Sequence, residues 1–336
     1  MLFGNNKKIS LLSFIITQRC NLKCSYCYLS RKKIDISEKV LKEYSKSFLE
    51  TPGVNKRVIF VGGEPTLKTE LVELGIKYLK YFNKSARKKI QTVINTNGII
   101  LNKKVLKLYE NLDYISVSMD GKEYSQNLNR KTINGKTTFK KVIQNIETIK
   151  KFYPQKLIIN KVISSNNYQN LFEDIFFIYS LNPKVILWNI ALEDGQWTKE
   201  KLNKLSNQIK KLRKWADSKA HNKNFRKFFP RIYQIEKRKC VLDSLTVNTK
   251  GELYHCEILS NLQKDCLGNL KQGIFRQDLI NCRFSLKEKS CKMELCRHCD
   301  QICLNDPNQK NDKKRIIAKK NLQKAQLIIS NISNKK

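Results

Sequence analysis

From Ile9 to about Ile190, short apolar segments rich in β-branched residues alternate with longer stretches whose apolar positions recur at helical spacing. The pattern predicts six strands: Ile9–Thr17, Val58–Val61, Gln91–Thr96, Tyr114–Met119, Leu157–Ile163 and Val185–Asn189. A helical stretch follows each of them. Ser37–Glu50 has Asp35 or Ser37 available as its cap, Leu67–Phe82 is periodic throughout, and Trp197–Lys219 is long and amphipathic. Strands that are apolar along most of their length, separated by helices, are the signature of βα units around a parallel sheet covered on both faces.

This pattern predicts an α/β fold, a partial (β/α)6 TIM-like barrel over residues 1–220, followed by a small cysteine-rich domain over 235–305, where helical periodicity is lost. Residues 306–336 read as a basic C-terminal helix, in which Ile316, Ile317, Ala325, Ile328 and Ile329 make a narrow apolar stripe suited to docking on the body. The chain of 336 residues, 40% hydrophobic and 9% aromatic, is long enough for a main domain and a smaller one, which excludes wholesale disorder. Its longest early apolar run, Ile9–Thr17, is about half of the ~20 residues that a membrane span needs, so no membrane association is expected.

Charge changes the picture less than its size suggests. The balance of 66 Lys plus Arg against 29 Asp plus Glu gives a formal +37, and the pI is about 9.8. The lysines, among them Lys77, Lys80, Lys104, Lys141, Lys210 and Lys320, are spread over nearly every helical stretch. A solvated surface explains that spread better than a nucleic-acid stripe does, and an acidic peptide or an RNA is the alternative partner. Nucleic acid is the less favoured of these, since no RNA-binding module is recognisable.

Cysteine placement is more informative. Eleven cysteines without a secretion signal suggest a reducing, cytoplasmic setting in which thiols serve as metal ligands or nucleophiles. Three fall between Cys20 and Cys27, none follows until Cys240, and eight crowd between Cys240 and Cys303. In barrels of this type the chemistry sits where strands run into their βα loops. The unusual residues of this chain fall there: the cysteine loop after strand one, Gly62-Gly63-Glu64-Pro65 after strand two, Thr96-Asn97-Gly98 after strand three, and Ser118-Met119-Asp120-Gly121 after strand four. Three thiols with three and then two residues between them suit an iron–sulfur cluster with one iron left open, and zinc with a remote fourth ligand is the alternative.

The loop Cys20-x3-Cys24-x2-Cys27 resembles the CxxxCxxC signature of the radical S-adenosylmethionine (SAM) superfamily, and Gly62-Gly63-Glu64 resembles that family's GGE motif. The resemblance covers about residues 9–190 and implies that Cys20, Cys24 and Cys27 bind a 4Fe-4S cluster, with Tyr26 lying against the adenine of SAM. It further implies that Gly62, Gly63 and Glu64 hold SAM's amino group, that Thr96 lines the cavity with Asn97, that Ser118 contacts the ribose and that Arg130 meets the carboxylate. The implied chemistry is reductive cleavage of SAM to a 5′-deoxyadenosyl radical that abstracts a substrate hydrogen, with the electron coming from a reductase or a flavodoxin- or ferredoxin-type donor.

The second cysteine group resembles the SPASM and twitch domains. Cys240, with Gly251 in a hairpin turn before Cys256, matches their opening, and Cys266-Leu267-Gly268-Asn269 includes their Gly-Asn step. Cys291, Cys296, Cys299 and Cys303 depart from the usual spacing, and no later cysteine follows Cys303 in this sequence. The resemblance implies one or two auxiliary 4Fe-4S clusters on Cys240, Cys256, Cys291, Cys296, Cys299 and Cys303, with Cys266 and Cys282 as spare thiols. Structural zinc, with His255 or His298 joining the thiols, is the competing assignment.

Proteins with this organisation mostly modify ribosomally made peptides or proteins by crosslinking, epimerisation or oxidation. Strand one begins near residue 9, so no N-terminal peptide-recognition domain is expected, and a leader peptide, favoured if acidic, would bind the basic body or a separate peptide-recognition protein. A radical SAM enzyme acting on RNA or a small molecule is the alternative, and a zinc-binding, nucleic-acid-associated protein is the rival from another class. Trp188, Trp197 and Trp215 are expected to pack in the core.

Overall fold

The computed structural model describes residues 2–3, 8–191, 196–219, 244–257, 260, 263 and 266–275. Cys240, Cys282, Cys291, Cys296, Cys299, Cys303, His298 and the C-terminal helix 306–336 therefore lie outside the described residues. In chain order the elements begin β1 (Leu11–Thr17), α1 (Glu38–Glu50), β2 (Asn55–Gly62), α2 (Thr69–Ala86), β3 (Lys89–Thr96), α3 (Lys103–Glu110) and β4 (Tyr114–Ser118). There follow α4 (Glu123–Asn129), α5 (Phe139–Phe152), β5 (Leu157–Ile163), α6 (Leu171–Ser180), β6 (Val185–Ile190) and α7 (Lys199–Ser218). Four short strands close the described chain: β7 (Ser244–Val247), β8 (Glu252–Tyr254), β9 (Gly268–Asn269) and β10 (Gly273–Ile274). The six predicted strands are all present, and each is followed by a helix.

Two compact units divide the chain. The first comprises Met1–Asn21, Tyr28–Ser116 and Val241–Leu286. Here β1 pairs in parallel with β2, with Phe14 opposite Phe60 and Ile15 opposite Val61, and β2 pairs in parallel with β3. On its other side β1 pairs in parallel with β7, which starts an antiparallel run through β8, β9 and β10. Leu12, Phe14, Ile15 and Ile16 are all buried, as expected of a parallel strand covered on both faces. Helices α1 and α2 cover the sheet with Val40, Leu41, Tyr44 and Phe48, and with Val72, Ile76 and Leu79. The α1 cap is Ser37, whose Oγ accepts from the Val40 amide. Tyr44 of α1 donates to the Gly251 carbonyl at 2.8 Å, tying the helix to the β7–β8 hairpin, and Gly251 takes φ +78° in that turn as the sequence predicts.

The second unit comprises Leu22–Cys27, Val117–Cys240 and Lys287–Lys336. Strands β5 and β6 pair in parallel from Ile158 opposite Val185 to Ile163 opposite Ile190. Trp188 and Trp197 are buried, and the Trp197 indole donates to the Ala191 carbonyl at 2.7 Å. Trp215 on α7 meets Phe172, Phe176 and Tyr179 of α6 edge-on, so its packing is at the helix–helix contact. Among the described residues, no helix is long and apolar enough to cross a membrane.

Candidate active site

The first unit brings Cys20, Gly62, Gly63, Glu64, Thr96 and Asn97 to the exits of β1, β2 and β3. Their arrangement starts from the backbone. The Gly63 amide donates to the Thr17 carbonyl and the Glu64 amide to the Arg19 carbonyl, each at 2.8 Å. A Cβ on Gly62 would lie 2.3 Å from the Thr17 oxygen, and one on Gly63 would lie 2.1 Å from the Arg19 oxygen. The glycine pair is therefore required because the β2 exit lies directly on the chain leading into Cys20, a reason that the sequence does not disclose.

Glu64 is fully buried. Its Oε1 accepts from the Thr66 amide at 3.1 Å, the Thr66 hydroxyl at 2.7 Å and the Thr96 hydroxyl at 2.8 Å, and its Oε2 accepts from the Asn97 amide at 2.6 Å. Burial raises its pKa above the ordinary carboxylate value, against the pull of these donors on Asn97, Thr66 and Thr96. Asn97 in turn donates from Nδ2 to Asn21 Oδ1 at 2.7 Å and to Cys20 Sγ at 3.8 Å. The β3 exit is thus connected through Glu64 and Asn97 to the first cysteine. At the edge of this unit Asp35 pairs with Arg19 and Lys68, each at 3.1 Å. Glu257, beside Cys256, is a carboxyl whose pKa burial pushes up against hydrogen bonds from Tyr28, at 2.9 Å, and Ser13. Sequence reasoning passed over it, because an acid next to a cysteine has no spacing signal of its own.

The second unit holds Cys24, Tyr26, Cys27, Ser118 and Arg130. Leu22–Cys27 lies along residues 129–132: the Lys23 amide donates to the Lys131 carbonyl at 2.8 Å, and the Ser25 amide to the Asn129 carbonyl at 3.0 Å. The Cys27 amide returns to the Cys24 carbonyl at 3.2 Å, closing a turn between the two thiols. Tyr26 donates its hydroxyl to Asp120 Oδ2 at 2.7 Å, and its pKa is raised well above the ordinary tyrosine value, chiefly by burial. Arg130 Nε donates to Asp120 Oδ1 at 3.0 Å. Burial works against the Arg130 charge, but Asp120 raises its pKa beyond the ordinary arginine value. Ser118 is half-buried at the end of β4. Asp120, in the strand end Ser118-Met119-Asp120-Gly121, thus bonds both Tyr26 and Arg130, although the sequence gives it no role of its own.

The described cysteines Cys20, Cys24, Cys27, Cys256 and Cys266 are all outside disulfides. Cys27 is exposed, and Cys20 and Cys24 are partly open to solvent. A set made only of thiols in one eight-residue segment fits a soft iron–sulfur centre. Among the described residues, no group of three or more His, Cys, Asp or Glu side chains is gathered closely enough to hold a metal ion.

The sequence model of the radical SAM superfamily matches residues 14–169. A cysteine-type anaerobic sulfatase-maturating enzyme of Clostridium perfringens is 25% identical over 90% of this chain and 91% of its own length. A probable GTP 3′,8-cyclase of Methanococcus aeolicus is 29% identical over 82% of this chain and 88% of its own. Among solved structures, polyhistidine-tagged anSMEcpe with bound AdoMet superposes with a TM-score of 0.71 at 24% identity, covering 97% of this chain and 99% of that one. That likeness gives the fold alone, an α/β partial TIM-like barrel.

Proposed function

Because a radical SAM domain spans residues 14–169 and the chain is a radical SAM enzyme, we propose that it modifies a ribosomally synthesised peptide or protein by crosslinking, epimerisation or oxidation. The extent of one alignment carries this reading. The likeness to the sulfatase-maturating enzyme runs over 90% of the chain, well past the radical SAM domain and into the second cysteine group. A structure of the same fold, native anSMEcpe with bound AdoMet and Cp18Cys peptide, holds a peptide, which supports a peptide substrate here.

When bound, a 4Fe-4S cluster and SAM supply one-electron cleavage of SAM and removal of a hydrogen from the substrate. In this reading Cys20, Cys24 and Cys27 hold the cluster. Tyr26 offers its ring to the adenine, and Ser118 offers its hydroxyl to the ribose. Glu64 Oε2 accepts one internal hydrogen bond and retains a lone pair for an ammonium, while Thr96 fixes the other carboxylate oxygen. The exits at Gly62 and Gly63 offer backbone carbonyls to the same amino group. Arg130 spends Nε on Asp120, which leaves its terminal nitrogens for a carboxylate. Cys240, Cys256, Cys291, Cys296, Cys299 and Cys303 would hold one or two auxiliary 4Fe-4S clusters. A net charge of +37 favours an acidic leader and an acidic one-electron donor.

The test is iron and acid-labile sulfide per chain after anaerobic reconstitution. About eight or twelve irons are expected, falling by about four when Cys20, Cys24 and Cys27 are all changed to Ala. Cys24→Ala is expected to abolish SAM cleavage, and wild-type turnover by that variant would refute the assignment. For the substrate, a change in peptide mass that requires both SAM and reductant, tried first on the Cp18Cys peptide, supports the peptide reading. A small-molecule substrate is the second reading, favoured by the 29% identity to the probable GTP 3′,8-cyclase, and SAM-dependent consumption of GTP would select it.

A further inference from the structure

Asp120 has no part in the roles assigned so far, yet it is fully buried and every polar group it carries is engaged. Its Oδ2 accepts the Tyr26 hydroxyl at 2.7 Å. Its Oδ1 accepts Arg130 Nε at 3.0 Å and the Val162 amide of β5 at 3.2 Å. Its own amide donates to Gln126 Oε1 at 2.8 Å, and its carbonyl accepts from Lys161 Nζ. That ammonium is in turn paired at 2.9 Å with Asp174, and both side chains are buried. Asp174 also accepts the Lys122 amide at 3.0 Å and fills the space where Gly121 would carry a Cβ, 2.2 Å away. The end of β4 is thereby clamped on both sides of Asp120, which cannot change rotamer or shift without breaking a buried charged contact.

Two of these contacts converge on one ring. The phenol of Tyr26 is held at its edge by Asp120, and the Arg130 guanidinium lies 5.4 Å from the ring centroid, in reach of a cation–π interaction. Further ties of Leu22–Cys27 to residues 129–132 are made by backbone groups and by the Ser25 hydroxyl, which donates to Asn129 Oδ1 at 2.7 Å. They fix the path of the loop but not the plane of the aromatic side chain between Cys24 and Cys27.

We propose that Asp120 is a positioning residue: it holds Tyr26, and through Tyr26 the turn from Cys24 to Cys27, in the orientation that receives SAM. This rests on the reading of Tyr26 as the aromatic contact of SAM. A ring locked before binding does not have to be ordered on binding, so the effect belongs in SAM affinity rather than in the chemical step. Because Asp120 acts through the Tyr26 hydroxyl, losing either partner and losing both should cost nearly the same.

The experiment measures the SAM dissociation constant by equilibrium dialysis on oxidised, reconstituted protein, which does not turn over. Wild type, Tyr26→Phe, Asp120→Asn and the double variant are compared, each with iron content determined. Tyr26→Phe keeps the ring, Arg130 and Asp120 and removes only the hydroxyl. It is expected to weaken SAM about three- to tenfold at undiminished iron, and the double variant is expected to be no more than about twofold weaker than Asp120→Asn alone. The spectrum of the reduced cluster with SAM should broaden in both single variants. Wild-type affinity in Tyr26→Phe, or single effects that simply multiply in the double variant, overturns the proposal. If Asp120→Asn fails to hold iron, Tyr26→Phe against wild type decides alone. Wild-type protein with a full complement of iron and no affinity for SAM would instead overturn the parent reading, and this one with it.

Discussion

Gly63→Ala tests whether the glycine pair exists for the backbone packing beneath it. The added Cβ would sit 2.1 Å from the Arg19 oxygen, 2.6 Å from the Arg19 carbon and 2.9 Å from the Gln18 oxygen. All three are backbone atoms, so no side chain can swing aside. Relief to even 3.0 Å requires about 0.9 Å of separation between the β2 exit and the chain leading into Cys20. That movement breaks the 2.8 Å bond from the Glu64 amide to the Arg19 carbonyl and strains the adjoining one from Gly63 to Thr17. One lost hydrogen bond at ~1 kcal/mol and a buried carbonyl left short of a donor at ~1–3 kcal/mol give a destabilisation of about 2–4 kcal/mol. At roughly 2–4 °C per kcal/mol, thermal unfolding of the iron-free chain should fall by roughly 4–16 °C. Gly75→Ala is the control, because its Cβ would meet the Phe60 ring edge at 2.8 Å, a side chain that can tilt, and alanine gains about 1 kcal/mol of helix propensity in α2. That control should unfold within a few degrees of wild type. A Gly63→Ala chain as stable as the control and still binding cluster and SAM would refute the packing account of the motif.

Two further predictions follow from buried and half-buried charges. Lys161→Met should destabilise by about 3–5 kcal/mol in denaturant unfolding, since it leaves Asp174 charged, buried and without its ammonium, and adding Asp174→Leu should recover much of the loss. For Asp35, burial pushes the pKa up but hydrogen bonds from Thr17, Lys68 and Arg19 pull it down further, so the folded value lies below the unfolded one. Its stabilisation is therefore present above the unfolded pKa near ~3.9 and lost as pH falls through the folded value. The advantage of wild type over Asp35→Asn, measured by urea unfolding, should be under about 1 kcal/mol at pH 6 and shrink toward zero below about pH 4, because Arg19 is 39% exposed. An advantage that grows on acidification contradicts the sign.

The strand pattern was legible because a parallel sheet covered on both faces demands continuous apolar runs. Leu157–Ile163 is the same in sequence and structure, and Val185–Asn189 gains only Ile190. Where polar residues enter a strand the sequence misleads. The predicted strand starts only at Val58, yet Asn55, Lys56 and Arg57 pair in register with Lys89, Ile90 and Gln91. Lys56 can be buried because its ammonium donates to the Ile9, Thr51 and Pro52 carbonyls and to the Thr51 hydroxyl. The periodic stretch from Leu67 is broken between Lys68 and Thr69, where a short 3-10 turn capped by Glu64 gives way to α2. Pairing of β7 with β1 joins residues more than 200 positions apart and leaves no local signature. The cysteine and glycine motifs stand out in the sequence by their spacing, whereas Asp120 does not, because a lone acid before a glycine is first of all a turn and its partners Tyr26 and Arg130 are identified only by folding.

The glycine motif also bears on how substitutions near Cys20 should be interpreted. Its lack of side chains is explained by the approach to Thr17 and Arg19, with no ligand required, so loss of SAM binding on enlarging either glycine would not by itself place SAM against it. What the motif leaves for a ligand is the carbonyl oxygens of the β2 exit and the second oxygen of Glu64. The same contacts couple those atoms to Cys20: Glu64 is bonded through its amide to Arg19, next to Cys20, and through its carboxylate to Asn97, which donates to the Cys20 sulfur. A shift of the β2 exit is therefore transmitted to the first thiol by two routes, one through backbone and one through side chains. Cluster retention and SAM affinity should consequently fail together for substitutions in Gly62–Glu64, while for Tyr26 and Asp120, which bond to none of these atoms among the described residues, SAM affinity can fall with iron intact.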